Sequence, residues 1–320
     1  MSRPVLLVTR RLPAVVEQRA AEQFDARLNA DDTPRTGADI LRLAQGVDAV
    51  LCCPAEKLDA ATIGALPATV RVLGTFSVGF DHIDLGACRV RNLPVVNTPD
   101  VLSAATAECT MLLILAASRR AGEGERLLRA GRWGGWAPTQ LLGTGVAGRR
   151  LGIFGMGRIG RHLARMARAF DMEVHYRDIA RLPAAQEGDA IWHDDDASFL
   201  AASEVLSLHA PGGAATRHWL NAERIAQLPA GAVVVNAARG TLIDDAALIA
   251  ALQSGQVAFA GLDVYAAEPA VDPGYLALEN VVLLPHLGSA TTATRAAMGH
   301  LVLDGIATVL AGQAPPNLVR

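Results

Sequence analysis

Residues 150–160 read Arg-Leu-Gly-Ile-Phe-Gly-Met-Gly-Arg-Ile-Gly, an apolar run that ends in three glycines spaced G-x-G-x-x-G and continues as a helical stretch through Phe170. No other segment restricts the fold as much. A buried strand that turns on a glycine and restarts at once as a helix opens a βαβ unit, and such units assemble as parallel sheets covered by helices. Gly155 permits the tight turn, Gly157 lets a pyrophosphate approach the backbone, and Gly160 lets helix and strand pack closely. Phosphates bound there meet free amides at a helix N-terminus, where the dipole also favours negative charge. Gly155, Gly157, Arg158, Ile159 and Gly160 are therefore the expected phosphate-binding positions.

A lone pattern of this kind also arises for backbone reasons alone, so its surroundings matter. The next apolar run, Glu173 to Arg177, ends at Asp178, 18 residues beyond Gly160 and close to the ~20 expected of an acidic ribose ligand. Asp178 can accept hydrogen bonds from both adenosine ribose hydroxyls, whereas a 2′-phosphate would place like charges together. NAD is thus expected over NADP, with Arg177 and Arg181 as flanking cations that could instead hold a phosphate.

The alternation extends along the whole chain. Strands are expected at Val5 to Thr9, Asp48 to Cys53, Val70 to Phe76 and Pro94 to Asn97, forming a first unit. After a long helix over about Leu102 to Ala130, six more are expected at Arg150 to Phe154, Glu173 to Arg177, Val205 to His209, Ala232 to Asn236, Ala258 to Asp263 and Val281 to Leu284. Gly131 to Gly148, with Trp133 and Trp136, shows no periodicity and reads as an arm. A terminal helix, Thr291 to Leu310, could return to the first unit, but spacing alone does not show that it does. The expected class is α/β with two doubly wound domains, one of them a Rossmann-type nucleotide domain.

The length of 320 residues suits two domains. A formal charge of −3 supplies no basic field for nucleic acid, and the apolar run Val5 to Val8 is far too short for a signal peptide or membrane span. The four cysteines (Cys52, Cys53, Cys88, Cys109) show no Cys-x-x-Cys spacing and read as buried free thiols in a reducing cytoplasm.

Three polar residues follow apolar strands near the C-terminal half. Arg239 comes after Val233-Val234-Val235-Asn236-Ala237-Ala238, Glu268 after Gly261-Leu262-Asp263-Val264-Tyr265, and His286 directly after Val281 to Pro285. Open α/β sheets bind ligands at the C-terminal ends of their strands, so a shared site explains the trio better than three accidents. An arginine there can grip a planar carboxylate with two parallel hydrogen bonds. A carboxylate bonded to an imidazole favours its charged form and fixes its tautomer, so Glu268 with His286 would make a general acid. Of the other histidines, His82, His162, His175, His193, His218 and His300 read as surface or packing residues. No second histidine or cysteine stands at ligand spacing beside His286, so no metal is expected.

With these residues in place, the chain resembles the D-isomer-specific 2-hydroxyacid dehydrogenase family over essentially its whole length. The likeness extends to Ser77-Val78-Gly79-Phe80-Asp81-His82-Ile83-Asp84, Asn97-Thr98-Pro99, Thr106-Ala107-Glu108 and Leu284-Pro285-His286-Leu287-Gly288-Ser289-Ala290-Thr291. The resemblance implies a flavodoxin-like substrate domain built from residues 1–99 and 287–320, a nucleotide domain over 100–286, a cleft closing between them, and a homodimer formed mainly through the nucleotide domains. It implies that Arg239 binds the substrate carboxylate and carbonyl, that His286 is the acid/base and that Glu268 holds and polarises it. The amides of Val78 and Gly79 would hold the other side of the carboxylate. Thr106, Ala237, Asp263 and Gly288 would lie near the cofactor.

The stretch from His175 to Pro183 and the Trp133-Gly134-Gly135-Trp136 segment look most like glyoxylate/hydroxypyruvate reductases, although Asp178-Ile179 departs from the NADP-using members. The implied reaction is hydride transfer between a nicotinamide cofactor and a small 2-keto acid or D-2-hydroxy acid. Rival readings are the same chemistry on D-lactate, phosphite or a bulkier keto acid, and a nucleotide-sensing protein like the family's corepressors.

Overall fold

A computed structural model describes residues 3–319. The chain divides into two compact units, Met1–Leu102 with Ala290–Arg320, and Ser103–Ser289. The boundaries drawn from sequence were 99/100 and 286/287, and positions 1, 2 and 320 of that division lie outside the described residues.

The first unit is a five-stranded parallel sheet of β1 (Val5–Val8), β2 (Asp25–Arg27), β3 (Ala49–Cys52), β4 (Val72–Thr75) and β5 (Val95–Val96). Their spatial order is β2-β1-β3-β4-β5, the doubly wound order that places a topological switch beside β1 and β3. The central strands β3 and β4 are buried throughout because helices cover both faces. Leu7, Val50 and Leu73 pack with Ile40, Leu58 and Ile63 on one side. The C-terminal helix Thr292–Leu310 covers β4 so closely that a Cβ on Gly74 would lie 2.7 Å from Ile306 Cδ1. Overpacking of this kind costs about 1–3 kcal/mol. Asn317 and Val319 complete the return by donating to the carbonyls of Asn97 (2.7 Å) and Val95 (2.8 Å).

The second unit holds β6 (Arg150–Phe154), β7 (Glu173–Arg177), β8 (Ile191–Trp192), β9 (Val205–Leu208), β10 (Ala232–Asn236), β11 (Val257–Leu262) and β12 (Val281–Leu283). All are parallel, ordered β12-β11-β10-β9-β6-β7-β8. That is the Rossmann order extended by one strand, with its switch at β6 and β9. The helix Ser103–Ser118 runs across β10 and β11 and is buried over most of its circumference, Thr106, Thr110 and Ser118 included.

Four expectations are corrected. The sheet has seven strands rather than six, because the two-residue β8 had been passed over, and β2 had been missed in the first unit. The helix expected over Leu102 to Ala130 is two helices, Ser103–Ser118 and Ala121–Arg129. Arg120 breaks it with a left-handed φ of 52°, and the Ser118 carbonyl turns to accept from Thr144 N at 2.7 Å. Gly143 seats against that carbonyl, where a Cβ would approach to 2.2 Å. The cysteines are all free, but only Cys52 and Cys88 are buried; Cys53 and Cys109 are partly exposed. The segment expected as an arm, Gly131 to Gly148, carries no helix or strand and leaves Trp136 82% exposed.

Candidate active site

The glycine turn separates into two packing roles and one open position. Gly155 has φ +97° and donates to the Arg177 carbonyl at 2.8 Å; a Cβ there would lie 2.6 Å from Ala210 N. A Cβ on Gly160 would reach 2.5 Å from the Gly155 carbonyl oxygen. A Cβ on Gly157 would meet no atom within 4 Å, so the protein itself does not require glycine there. Gly157 is the N-cap of the helix Arg158–Arg168, with no side-chain cap and no acidic residue in the first turn. Uncapped amides beside open space are what an anionic ligand needs, and the residues fit a dinucleotide pyrophosphate.

Asp178 lies against this turn. Its Oδ2 accepts from Met156 N at 2.7 Å and its Oδ1 from Ile179 N at 2.7 Å. Neither flanking arginine is uncommitted. Arg177 bonds to Asp196 (3.3 Å) and to the Asp178 carbonyl, with its guanidinium 5.5 Å from the Trp192 ring centre. Arg181 bonds to Glu187 through two nitrogens, and Glu187 also accepts from Tyr176 Oη.

At the end of β10, the buried Asn236 accepts from Ala238 N (3.0 Å) and donates to the Arg239 carbonyl (2.8 Å), closing the turn that presents Arg239. Ala237 is buried within it. Next in chain, Gly240 lies flat on the following loop, where a Cβ would come within 1.9 Å of the Tyr265 carbonyl carbon. That contact draws the Arg239 and Glu268 loops together.

His286 comes directly after Leu284-Pro285, the two residues that follow β12, and has a left-handed φ of 57°. Such a backbone costs a non-glycine residue about 1–3 kcal/mol and persists only where neighbours enforce it. Asp263, 1% exposed at the end of β11, does so. Its carbonyl accepts from His286 N (3.0 Å), and its two carboxylate oxygens accept from Leu287 N (2.6 Å) and Gly288 N (2.8 Å). Burial pushes the Asp263 carboxyl above its usual range against the pull of those amides. Gly288 packs closely on Thr106, where a Cβ would stand 3.3 Å from both Thr106 Cγ2 and Asp263 Oδ2, so that its neighbours would have to give by a few tenths of an ångström.

The imidazole meets its acid directly, with His286 Nδ1 2.8 Å from Glu268 Oε2. Glu268 Oε1 accepts from Tyr265 N at 3.0 Å. Burial raises the Glu268 carboxyl, but the His286 hydrogen bond, the Tyr265 amide and the charges of His286 and Arg239 outweigh it and hold the group below the usual range. An ionised Glu268 places the Nδ1 proton, and Nε2 is then the nitrogen left to exchange a proton with a ligand.

The structure therefore brings Arg239, Glu268, His286, Asp263, Gly288 and Thr106 together within the second unit. Val78 and Gly79 belong to the first unit, after β4. Their carbonyls accept from Asn97 Nδ2 (2.8 Å) and Ser77 Oγ (2.6 Å), and their N–H groups donate to no acceptor among the described residues. Sequence reasoning missed Asn236, Gly240 and Tyr265. Only Asn236, a polar residue ending a run of valines, carried a signal. Among the described residues there is no group of three or more histidine, cysteine, aspartate or glutamate side chains that could hold a metal ion, and no helix is long and apolar enough to cross a membrane.

Residues 111–288 match the family model described as the NAD binding domain of D-isomer specific 2-hydroxyacid dehydrogenases. The chain is 42% identical over 314 residues to a glycerate dehydrogenase from Hyphomicrobium methylovorum, covering 98% of each. It superposes on a solved glyoxylate reductase from Paecilomyes thermophila with TM-score 0.89 and 32% identity, covering 100% of this chain and 99% of the other. With an NADPH-dependent glyoxylate/hydroxypyruvate reductase from Sinorhizobium meliloti, solved with NADP and malonate, the TM-score is 0.87 at 32% identity, covering 99% and 97%. An oxidoreductase of 2-hydroxy acids that uses a nicotinamide cofactor accounts for both the glycine turn and the imidazole–carboxylate pair. The chain belongs to the D-isomer specific 2-hydroxyacid dehydrogenase family.

Proposed function

We propose that the protein reduces glyoxylate to glycolate or hydroxypyruvate to D-glycerate, with NADH preferred. The observation that carries this reading is the 2.8 Å contact of His286 with Glu268, with the charge of Arg239 acting on the same carboxylate. Arg239 binds the substrate carboxylate and orients the carbonyl, aided by the Val78 and Gly79 amides of a substrate domain (residues 1–99 and 287–320). A nicotinamide cofactor would supply the hydride when bound. His286 donates its Nε2 proton to the developing alkoxide, and Glu268 stabilises the imidazolium and holds its orientation. Asp263, Thr106 and Gly288 would lie near the cofactor, and the domain over 100–286 would hold the dinucleotide.

Asp178 as ribose ligand, with Arg177 and Arg181 already engaged by Asp196 and Glu187, supports NAD over NADP. The exposed Trp133 and Trp136 support a homodimer formed through the nucleotide domain; the cytoplasm, where thiols stay reduced, suits four free cysteines. A panel of glyoxylate, hydroxypyruvate, pyruvate and phosphite with each cofactor tests the substrate. His286→Ala tests the chemistry. It should lose roughly 10²–10⁴ in kcat, the usual contribution of a positioned acid, while still binding NADH; near-normal turnover would remove His286 from the reaction.

A further inference from the structure

Tyr265 touches all three loops of the site without belonging to the trio. Its backbone N–H donates to Glu268 Oε1 at 3.0 Å. Its peptide carbonyl is the surface on which Gly240, the residue after Arg239, lies too closely for any side chain. Its phenol reaches the third loop, with Oη 2.9 Å from the Leu284 carbonyl and 3.3 Å from the Leu262 carbonyl.

Leu284 lies one residue beyond the last residue of β12, which pairs with β11 alone at the sheet edge. Its N–H is satisfied by Leu262 O at 2.8 Å, while its carbonyl, two residues before His286, has left the ladder. A hydroxyl on a half-buried, rigid ring satisfies it and ties the end of β12 to the loop that carries Glu268. Burial, with the charges of Asp263 and Glu268, pushes the phenol up to about 12, so it is a neutral donor near neutral pH.

We propose that Tyr265 is a positioning residue that sets the register of the His286-bearing segment against the Glu268 loop, through the hydrogen bond from its phenol to the Leu284 carbonyl. This inference rests on the assignment of His286 and Glu268 as acid and partner. It concerns alignment rather than binding, because the phenol addresses a backbone carbonyl and not a ligand.

The experiment compares Tyr265→Phe and His286→Ala with wild type, each as full-length protein assayed with NADH and glyoxylate or hydroxypyruvate. Tyr265→Phe should lower kcat roughly tenfold, the scale of loss when a reacting group is held slightly out of place. KM for the keto acid and Kd for NADH, read by quenching of tryptophan fluorescence, should stay within about twofold, as should the affinity of the NADH complex for oxamate, a carboxylate mimic of the substrate. The kcat-only loss also separates alignment from general weakening of the fold, which would alter binding and the thermal midpoint together. A Phe variant with wild-type kcat, or with its loss confined to KM, overturns the role of Tyr265 while a His286→Ala variant without turnover leaves the mechanism standing. A His286→Ala variant with full turnover overturns both.

Discussion

The three glycines of the nucleotide turn make different demands, and a methyl group tells them apart. In Gly157→Ala the added carbon meets no protein atom within 4 Å, so the thermal midpoint of the ligand-free protein should match wild type to within roughly 2 °C, the equivalent of under 1 kcal/mol in a unit of this size. The same carbon stands over an uncapped helix N-terminus, where it would displace a pyrophosphate. Losing one charge-assisted hydrogen bond costs about 1.5–3 kcal/mol, which at 1.4 kcal/mol per decade weakens NADH roughly tenfold to a hundredfold. Gly155→Ala and Gly160→Ala should behave oppositely. Their methyl groups would lie 2.6 Å and 2.5 Å from backbone atoms, and at about 1–3 kcal/mol for overpacking and 2–4 °C per kcal/mol the midpoint should fall by roughly 2–12 °C. Scanning calorimetry with and without NADH, beside a fluorescence titration, reads both quantities. If Gly157→Ala binds NADH like wild type, or melts as early as Gly155→Ala, the separation of roles is wrong.

Two further outcomes are expected. Asp178→Ser should raise the NADPH-to-NADH ratio of kcat/KM by about tenfold or more, since the like charge facing a 2′-phosphate is gone; a wild type that already prefers NADPH contradicts the ribose assignment. Asp32 is held down to about 2 by its hydrogen bonds with Arg10 and the Arg11 amide. Its folded value lies below its unfolded one, so its stabilisation is complete above about pH 3.8 and fades as pH falls toward 2. Urea midpoints of wild type and Asp32→Asn should therefore converge across that interval, and a gap that widens on acidification would reverse the sign of the argument.

The parts of the fold legible in sequence were those where one strong term acts locally. Arg150–Phe154, Glu173–Arg177 and Ala232–Asn236 stand where hydrophobic runs placed them. Asp25–Arg27 and Ile191–Trp192 were illegible because short strands at sheet edges need only one hydrogen-bonded neighbour and no apolar run. The break at Arg120 carried no glycine or proline; it exists because Ser118 finds a partner in Thr144, 26 residues later. At the site, sequence order suggested which polar residues share a sheet edge, while the means of holding them there did not show. A buried carboxylate bonded to amides 24 and 25 residues away, as in Asp263, is a tertiary fact. So is the contact of Gly240 with Tyr265.

The glycine turn, Arg239, Glu268 and His286 all fall within Ser103–Ser289, whereas Val78 and Gly79 come from the other compact body, which is assembled from both chain ends. On the proposed assignment, the apparatus for moving hydride and proton is carried on one contiguous stretch of chain. Lineages could then exchange or reshape the flanking body, altering which acids are accepted, without rebuilding the reactive core.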